Sequence, residues 1–266
     1  MSHFREPSWE TDGQEGHETK IPSEHEVAKT QPEYLDVQQE HAEIPVTAGV
    51  LGLRLVLNLP YLQPSLPVRL SILTSTGRHR GVHMSRMIEA ANGFQTLKTI
   101  EDYLFGVCRQ VDSTQQGSNI ECEFELPCFD QFARISVRMS ERKPISYCLE
   151  VSGITSCPCS KRICGVGHMQ RATLELEMQS TLPLSTQFFR MVSELLDCFS
   201  ARPKSFLKRF DEASEVTMAQ ENSRFIEDVV RECLRRFPNA ERIEARSFES
   251  IHIHDAAAKW KRGDVI

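Results

Sequence analysis

The 266-residue chain has no apolar run long enough to span a bilayer, and no charged start followed by an apolar stretch and a cleavage site. It also has no excess of positive charge: 31 Lys and Arg stand against 37 Asp and Glu, a formal net charge of −6. The first absence argues against a membrane-spanning protein, the second for a cytoplasmic one, and the third against a nucleic-acid binder. Neither a membrane nor a nucleic acid is therefore expected as a partner. Cysteine is not scarce, with nine residues spread from Cys108 to Cys233. Without a secretory signal they read as reduced thiols rather than as a disulfide framework.

The charge is unevenly placed. Residues 1–33 hold eight acids against Arg5, Lys20 and Lys29, a charge of −5 that leaves −1 for the rest of the chain. The segment has few aliphatic residues and no sustained period, so it offers little apolar surface to offset the entropy of ordering. It reads as an acidic, disordered leader.

Beyond it the pattern changes. Leu51, Leu53, Leu55, Leu57 and Leu59 alternate with other residues, and Val68, Leu70 and Ile72 repeat the period, which predicts two strands. Phe94, Leu97, Ile100, Leu104, Val107 and Val111 fall at helical spacing. Ile120, Cys122, Phe124 and Leu126, then Ala133, Ile135, Val137 and Met139, alternate with polar residues as two further strands. The second half repeats the order. Strands are expected around 146–152 and 170–178, helices on the stripes Phe188–Phe199 and Phe225–Phe237, and a strand from about Ile243. Two strands, helix, two strands, twice over, is an α+β architecture of paired antiparallel sheets with helices on one face.

The segment Ser152–Arg171, SGITSCPCSKRICGVGHMQR, packs Cys157, Cys159, Cys164 and His168 into one stretch. Thiolate and imidazole are common ligands for zinc and related metals, and a thiolate is also a ready nucleophile. Pro158 alone separates Cys157 from Cys159, a spacing too tight for both sulfurs to reach one ion well. The segment therefore looks catalytic rather than like a structural zinc knuckle.

With these residues the chain resembles the type IB GTP cyclohydrolase I family. The resemblance runs in order through Asp36-Val37-Gln38, Ile44-Pro45, Gly81-Val82-His83-Met84-Ser85-Arg86, Thr155–Lys161, and His168 with Gln170-Arg171. It continues through Lys208-Arg209, Asp211-Glu212, Phe225-Ile226-Glu227-Asp228 and Phe248-Glu249-Ser250-Ile251-His252. Departures are local. The loop before His168 is one residue shorter than usual, Arg162 and Met169 replace common Glu and Asn, and His252-Ile253-His254 replaces the usual HNH.

The resemblance implies a tunnelling fold (T-fold) of two tandem ββααββ-like modules, 34–142 and 143–266, the second carrying most site residues. It implies a homotetramer, a dimer of dimers, with active sites at subunit interfaces. The reaction it implies converts GTP and water to formate and 7,8-dihydroneopterin triphosphate, the first step toward folate-type pterins. Two alternatives stay open: a sister activity giving a cyclic-phosphate product, and a non-catalytic pterin- or nucleotide-binding protein. A thiol redox sensor built on Cys157 and Cys159 is a third.

Attack of water on C8 of the purine needs a stronger nucleophile than neutral water, and a divalent metal provides one by lowering the pKa of water. The resemblance places Cys157 and His168 as catalytic groups. It makes Cys157, His168, Glu212, Glu249 and His252 metal ligands, for zinc or else manganese or iron. Glu249 and His252 are three positions apart, so they can share an ion only if their strand ends or bulges near Ser250-Ile251. Glu227, beside Val230 and Leu234 on a core stripe, is expected to be partly buried, and the resemblance implies that it accepts two hydrogen bonds from the guanine edge. Lys161, Arg86 and Arg171 are the candidates for the triphosphate, and Cys159 and Cys164 are expected as supporting or packed residues.

Overall fold

The computed structural model of the chain describes residues 37–94, 97–140 and 143–264. The acidic segment 1–33 lies outside them. Eight strands form one antiparallel sheet in chain order: β1 (Thr47–Leu59), β2 (Gln63–Ser75), β3 (Gln116–Cys128), β4 (Gln131–Ser140), β5 (Ile145–Ser156), β6 (Met169–Ser180), β7 (Ala240–Ser247) and β8 (Ala256–Lys261). Helices α1 (Met84–Gly93) and α2 (Ile100–Asp112) join β2 to β3, and α3 (Pro158–Cys164) joins β5 to β6. Helices α4 (Phe188–Leu196), α5 (Arg209–Glu221) and α6 (Ile226–Arg236) join β6 to β7. The chain is α+β, as the alternating periods require. The two expected sheets are fused into one, because β4 and β5 pair from Arg134↔Glu150 to Arg138↔Ser146.

Alternation gives the sheet one apolar face. Leu70, Cys122, Val137 and Tyr147 are successive cross-strand neighbours, and all are buried. Leu176 and Ile243 continue the layer on β6 and β7. Helix α2 packs on β3 and β4, α4 on β5, and α6 on β7 and β8. They bring Tyr103, Leu104 and Val107, then Phe188, Val192 and Leu195, then Val229 and Cys233 into the same core. Each such apolar side chain contributes about 1.5–3 kcal/mol of burial. The opposite face is laced with ion pairs, among them Arg134–Glu150 at 3.1 Å and Arg138–Glu121 at 2.7 Å.

Three local expectations change. Leu51 is 71% exposed, because the β1–β2 register shifts between Val50 and Leu53 around Gly52, whose φ is 66°. That bulge moves Leu51 off the face its alternation predicts. The helix read from Phe94 begins only at Ile100, where the Thr99 hydroxyl caps it by accepting from Asp102 N–H at 3.1 Å. Helix α5 carries no apolar stripe to find: only Ala219 is buried, while Phe210 is 91% exposed.

Candidate active site

β5 and β6 pair without a break from Ile145↔Ser180 to Ser156↔Met169, so residues 157–168 form a short excursion with joined ends. Cys157 N–H donates to His168 O at 3.0 Å across that neck. Cys157 stands at the N-cap position of α3 without a side-chain capping bond, Pro158 stands at the helix start where its missing N–H loses no bond, and Gly165 ends the helix at φ 82°. At Gly167 a Cβ would fall 2.6 Å from both Cys157 O and Ser156 Oγ, so only glycine fits against the neck. Gln220, at the end of α5, grips the same glycine. Its Oε1 accepts from Gly167 N–H at 2.7 Å and its Nε2 donates to Gly167 O at 2.8 Å.

β7 stops at Ser247, and the chain runs irregularly until β8 begins at Ala256. This is the strand ending that sharing an ion demands. Glu249 and His252 both turn toward His168: Glu249 Oε2 lies 3.8 Å from His168 Nδ1, and the His168 and His252 rings meet edge to face at 6.1 Å. Ligand atoms of His168, Glu249 and His252 all lie within 4.8 Å of one another. His254 stacks on His252 at 5.2 Å. Behind them, Ser247 Oγ donates to Glu249 Oε1 at 2.8 Å, and the Gln170 amide sits between His168 and Glu249.

Cys157, His168, Glu227, Glu249, His252 and His254 line one cleft of about 240 Å³, with Gln170 and Arg224 among its other walls. Five residues proposed from the sequence therefore converge. Glu227 differs from expectation in being exposed, because Ile226, Val229 and Val230 take the core side of α6. It stands in the first turn, where the helix dipole favours a carboxylate.

The remaining proposed residues are not brought to this cleft within one chain. Arg86 is exposed on α1, and Glu212 is exposed in the first turn of α5. Arg171 is exposed and, by alternation with buried Ala172, faces the other side of the sheet. Lys161 Nζ donates to the backbone oxygen of Gln220. Cys159 and Cys164 are exposed rather than packed. Sequence reasoning missed Gln170, Ser247, Gln220 and Arg224. The Arg224 guanidinium donates to Cys198 O at 2.8 Å and Asp197 O at 3.2 Å, so it fastens α6 to the end of α4.

Two imidazoles and a carboxylate, with a thiol in the same cleft, match the donor chemistry of zinc-type ions. A second grouping, Cys148 with Glu175 and Glu177, is of another kind. Arg242 ion-pairs both carboxylates, and its hydrogen bond holds the Glu177 carboxyl below its usual range. Burial, then Glu175 and Glu177, push the Cys148 thiol up to about 12, which keeps it protonated.

A cleft at a sheet end, with imidazole, carboxylate and thiol groups converging on it, has the donor set that could hold a metal ion. Residues 35–258 match the family of type I GTP cyclohydrolase folE2. The chain is similar to GTP cyclohydrolase FolE2 of Geobacter sp. (strain M21), 30% identical over 207 residues, 69% of this chain and 75% of that one. It is 31% identical over 205 residues to the FolE2 of Dictyoglomus thermophilum, covering 69% and 78% of the two chains. The FolE2 of Kosmotoga olearia is 31% identical over 204 residues, 69% and 78% of the chains. The chain belongs to the type I GTP cyclohydrolase FolE2 family.

Proposed function

We propose that the protein is a metal-dependent GTP cyclohydrolase that converts GTP and water to formate and 7,8-dihydroneopterin triphosphate. The observation that carries this reading is the convergence of Cys157, His168, Glu249 and His252 with Glu227 in one cleft. His168, Glu249 and His252 would hold a divalent ion with Cys157 beside them; zinc is the first candidate, manganese or iron the next. Such an ion supplies Lewis acidity, bringing the pKa of water down toward neutrality.

The chain's own groups do the rest. Glu227 accepts two hydrogen bonds from the N–H edge of guanine, which fixes the purine against the cleft. His168, with a side chain 15% exposed, either ligates the ion or, where the other groups hold it, carries a proton to the purine nitrogen released as the imidazole ring opens. Cys157 lies at the wall beside the reacting carbon. Gln220 and Gly167 keep the Cys157–His168 neck in one geometry, as such positioning requires.

In the same reading the sheet is the T-fold of two tandem modules, 34–142 and 143–266, assembled as a dimer of dimers. β1 and β8 are the ends of the strand order, and edges of this kind are surfaces for pairing with another copy. Assembly is also the route by which Arg86, Arg171 and Glu212 would reach an active site at a subunit interface. Nine free thiols fit a reducing, cytoplasmic setting. Purified, metal-loaded protein given GTP should release formate and a pterin that fluoresces on oxidation. Cys157→Ala should abolish both while staying folded, and near-normal turnover in that variant would refute the site.

A further inference from the structure

The amide of Gln170 lies between an imidazole and an acid, and its two ends have opposite hydrogen-bonding sense. Oε1 is 2.8 Å from His168 Nδ1, and Nε2 is 3.4 Å from Glu249 Oε1. Glu249 Oε1 also accepts from Ser247 Oγ at 2.8 Å. The amide turns its NH₂ toward Glu249 and its carbonyl toward the imidazole. The reverse orientation would set carbonyl oxygen against carboxylate oxygen and lose that bond. A carbonyl facing Nδ1 in turn requires a hydrogen on Nδ1. The other atom near this nitrogen, Glu249 Oε2, is 3.8 Å away, beyond a normal hydrogen bond.

We propose that Gln170 is a positioning residue that holds neutral His168 as the Nδ1–H tautomer, leaving Nε2 as its lone-pair nitrogen. The donors run one way: His168 to Gln170, Gln170 to Glu249, and Ser247 to Glu249. Both donors to Glu249 fall on Oε1, so Oε2 keeps its lone pairs. The network thus leaves His168 Nε2 and Glu249 Oε2 outside these hydrogen bonds. Outer partners of this kind orient metal-binding histidines and raise their basicity. The inference deepens the proposed function and rests on its assignment of His168.

The test reads the tautomer in ¹⁵N-labelled, metal-free protein by long-range ¹H–¹⁵N NMR, with the His168 ring signals assigned by their loss in His168→Asn. The unsubstituted protein should show Nδ1–H. Gln170→Leu, folded by circular dichroism, should lose that preference, and its zinc affinity against a chromophoric chelator should fall roughly ten- to a hundredfold. An Nε2–H tautomer in the unsubstituted protein would overturn the proposal even if Gln170→Leu fails to fold. So would Nδ1–H persisting in folded Gln170→Leu. The tautomer is read without metal or GTP. Its failure is therefore distinct from failure of the proposed activity, which would appear as no formate from unsubstituted, metal-loaded protein.

Discussion

The hydroxyl of Tyr147 donates to Glu101 Oε1 at 2.8 Å, tying the first turn of α2 to the start of β5. Glu101 is only 3% exposed. The same oxygen accepts from Leu184 N–H and Ser185 N–H, each at 2.9 Å, and the other carboxylate oxygen accepts from the Ser185 hydroxyl. One buried acid thus joins a helix between β2 and β3 to the segment that leads into α4. Burial and Glu101 together push the Tyr147 phenol well above its ordinary range.

Removing this acceptor strands several buried donors, each of which costs about 1–3 kcal/mol when unpaired. Glu101→Ala should therefore lose at least about 3 kcal/mol of stability in urea unfolding, with no part in the chemistry. A variant as stable as the parent would show that the cluster is not a structural tie.

Gly167→Ala should damage the site rather than the fold. Its Cβ would meet Cys157 O and Ser156 Oγ at 2.6 Å, inside any real contact, and the neck between Cys157 and His168 would have to shift. Displacements of about 1 Å at a site can reduce rate about a hundredfold. The expected result is a comparable fall in kcat with a melting temperature close to the parent's, measured side by side. Unchanged kcat would mean the neck geometry does not matter to turnover.

Thiol reactivity should sort by position. Cys159 and Cys164 are exposed, so alkylation of the native protein at pH 8 should reach them first. Cys122 and Cys233 are buried and should stay unlabelled until unfolding. Cys148, held up to about 12, should label slowly below pH 10 and faster as the pH approaches that value. Peptide mass spectrometry after timed labelling decides it; early modification of Cys122 or Cys233 would contradict the packing.

Glu227→Gln should weaken GTP binding and spare the metal. The substitution sets a donor against a donor at the guanine edge, and a lost charged hydrogen bond costs about 2 kcal/mol, roughly thirtyfold in affinity. The exposure of Glu227 argues for this lower end of the range. Calorimetry of metal-loaded protein should show the weakened affinity with unaltered metal content. Equal affinity would make Glu227 a helix-terminal charge and nothing more.

Most strands were legible because one face of the sheet is buried and the other is not. Ile120, Cys122, Phe124 and Leu126 are buried as their alternation predicts. Leu51 was not legible, since a bulge at Gly52 breaks the period without breaking the strand. Helix α5 escaped because Phe210, Val216 and Met218 face outward, leaving no stripe. In the cleft, Cys157 and His168 stood out in a single local segment, whereas Glu249 and His252 came only from the family resemblance. Gln170 and Gln220 did not stand out. Gln220 acts on a partner 53 positions away, and Gln170, though two residues from His168, is tied to Glu249, 79 positions away, so nothing in their own neighbourhoods marks an amide as a clamp.

The central claim is that this cleft opens the purine ring at C8 with a bound divalent ion. Feeding [8-¹³C]GTP to purified protein and following carbon by NMR tests it most directly. The account predicts ¹³C-formate from metal-loaded protein, none after chelation, and recovery on adding zinc, manganese or iron to different extents. Label that remains in the purine with every metal, or formate released at full rate by protein shown to be metal-free, would contradict it.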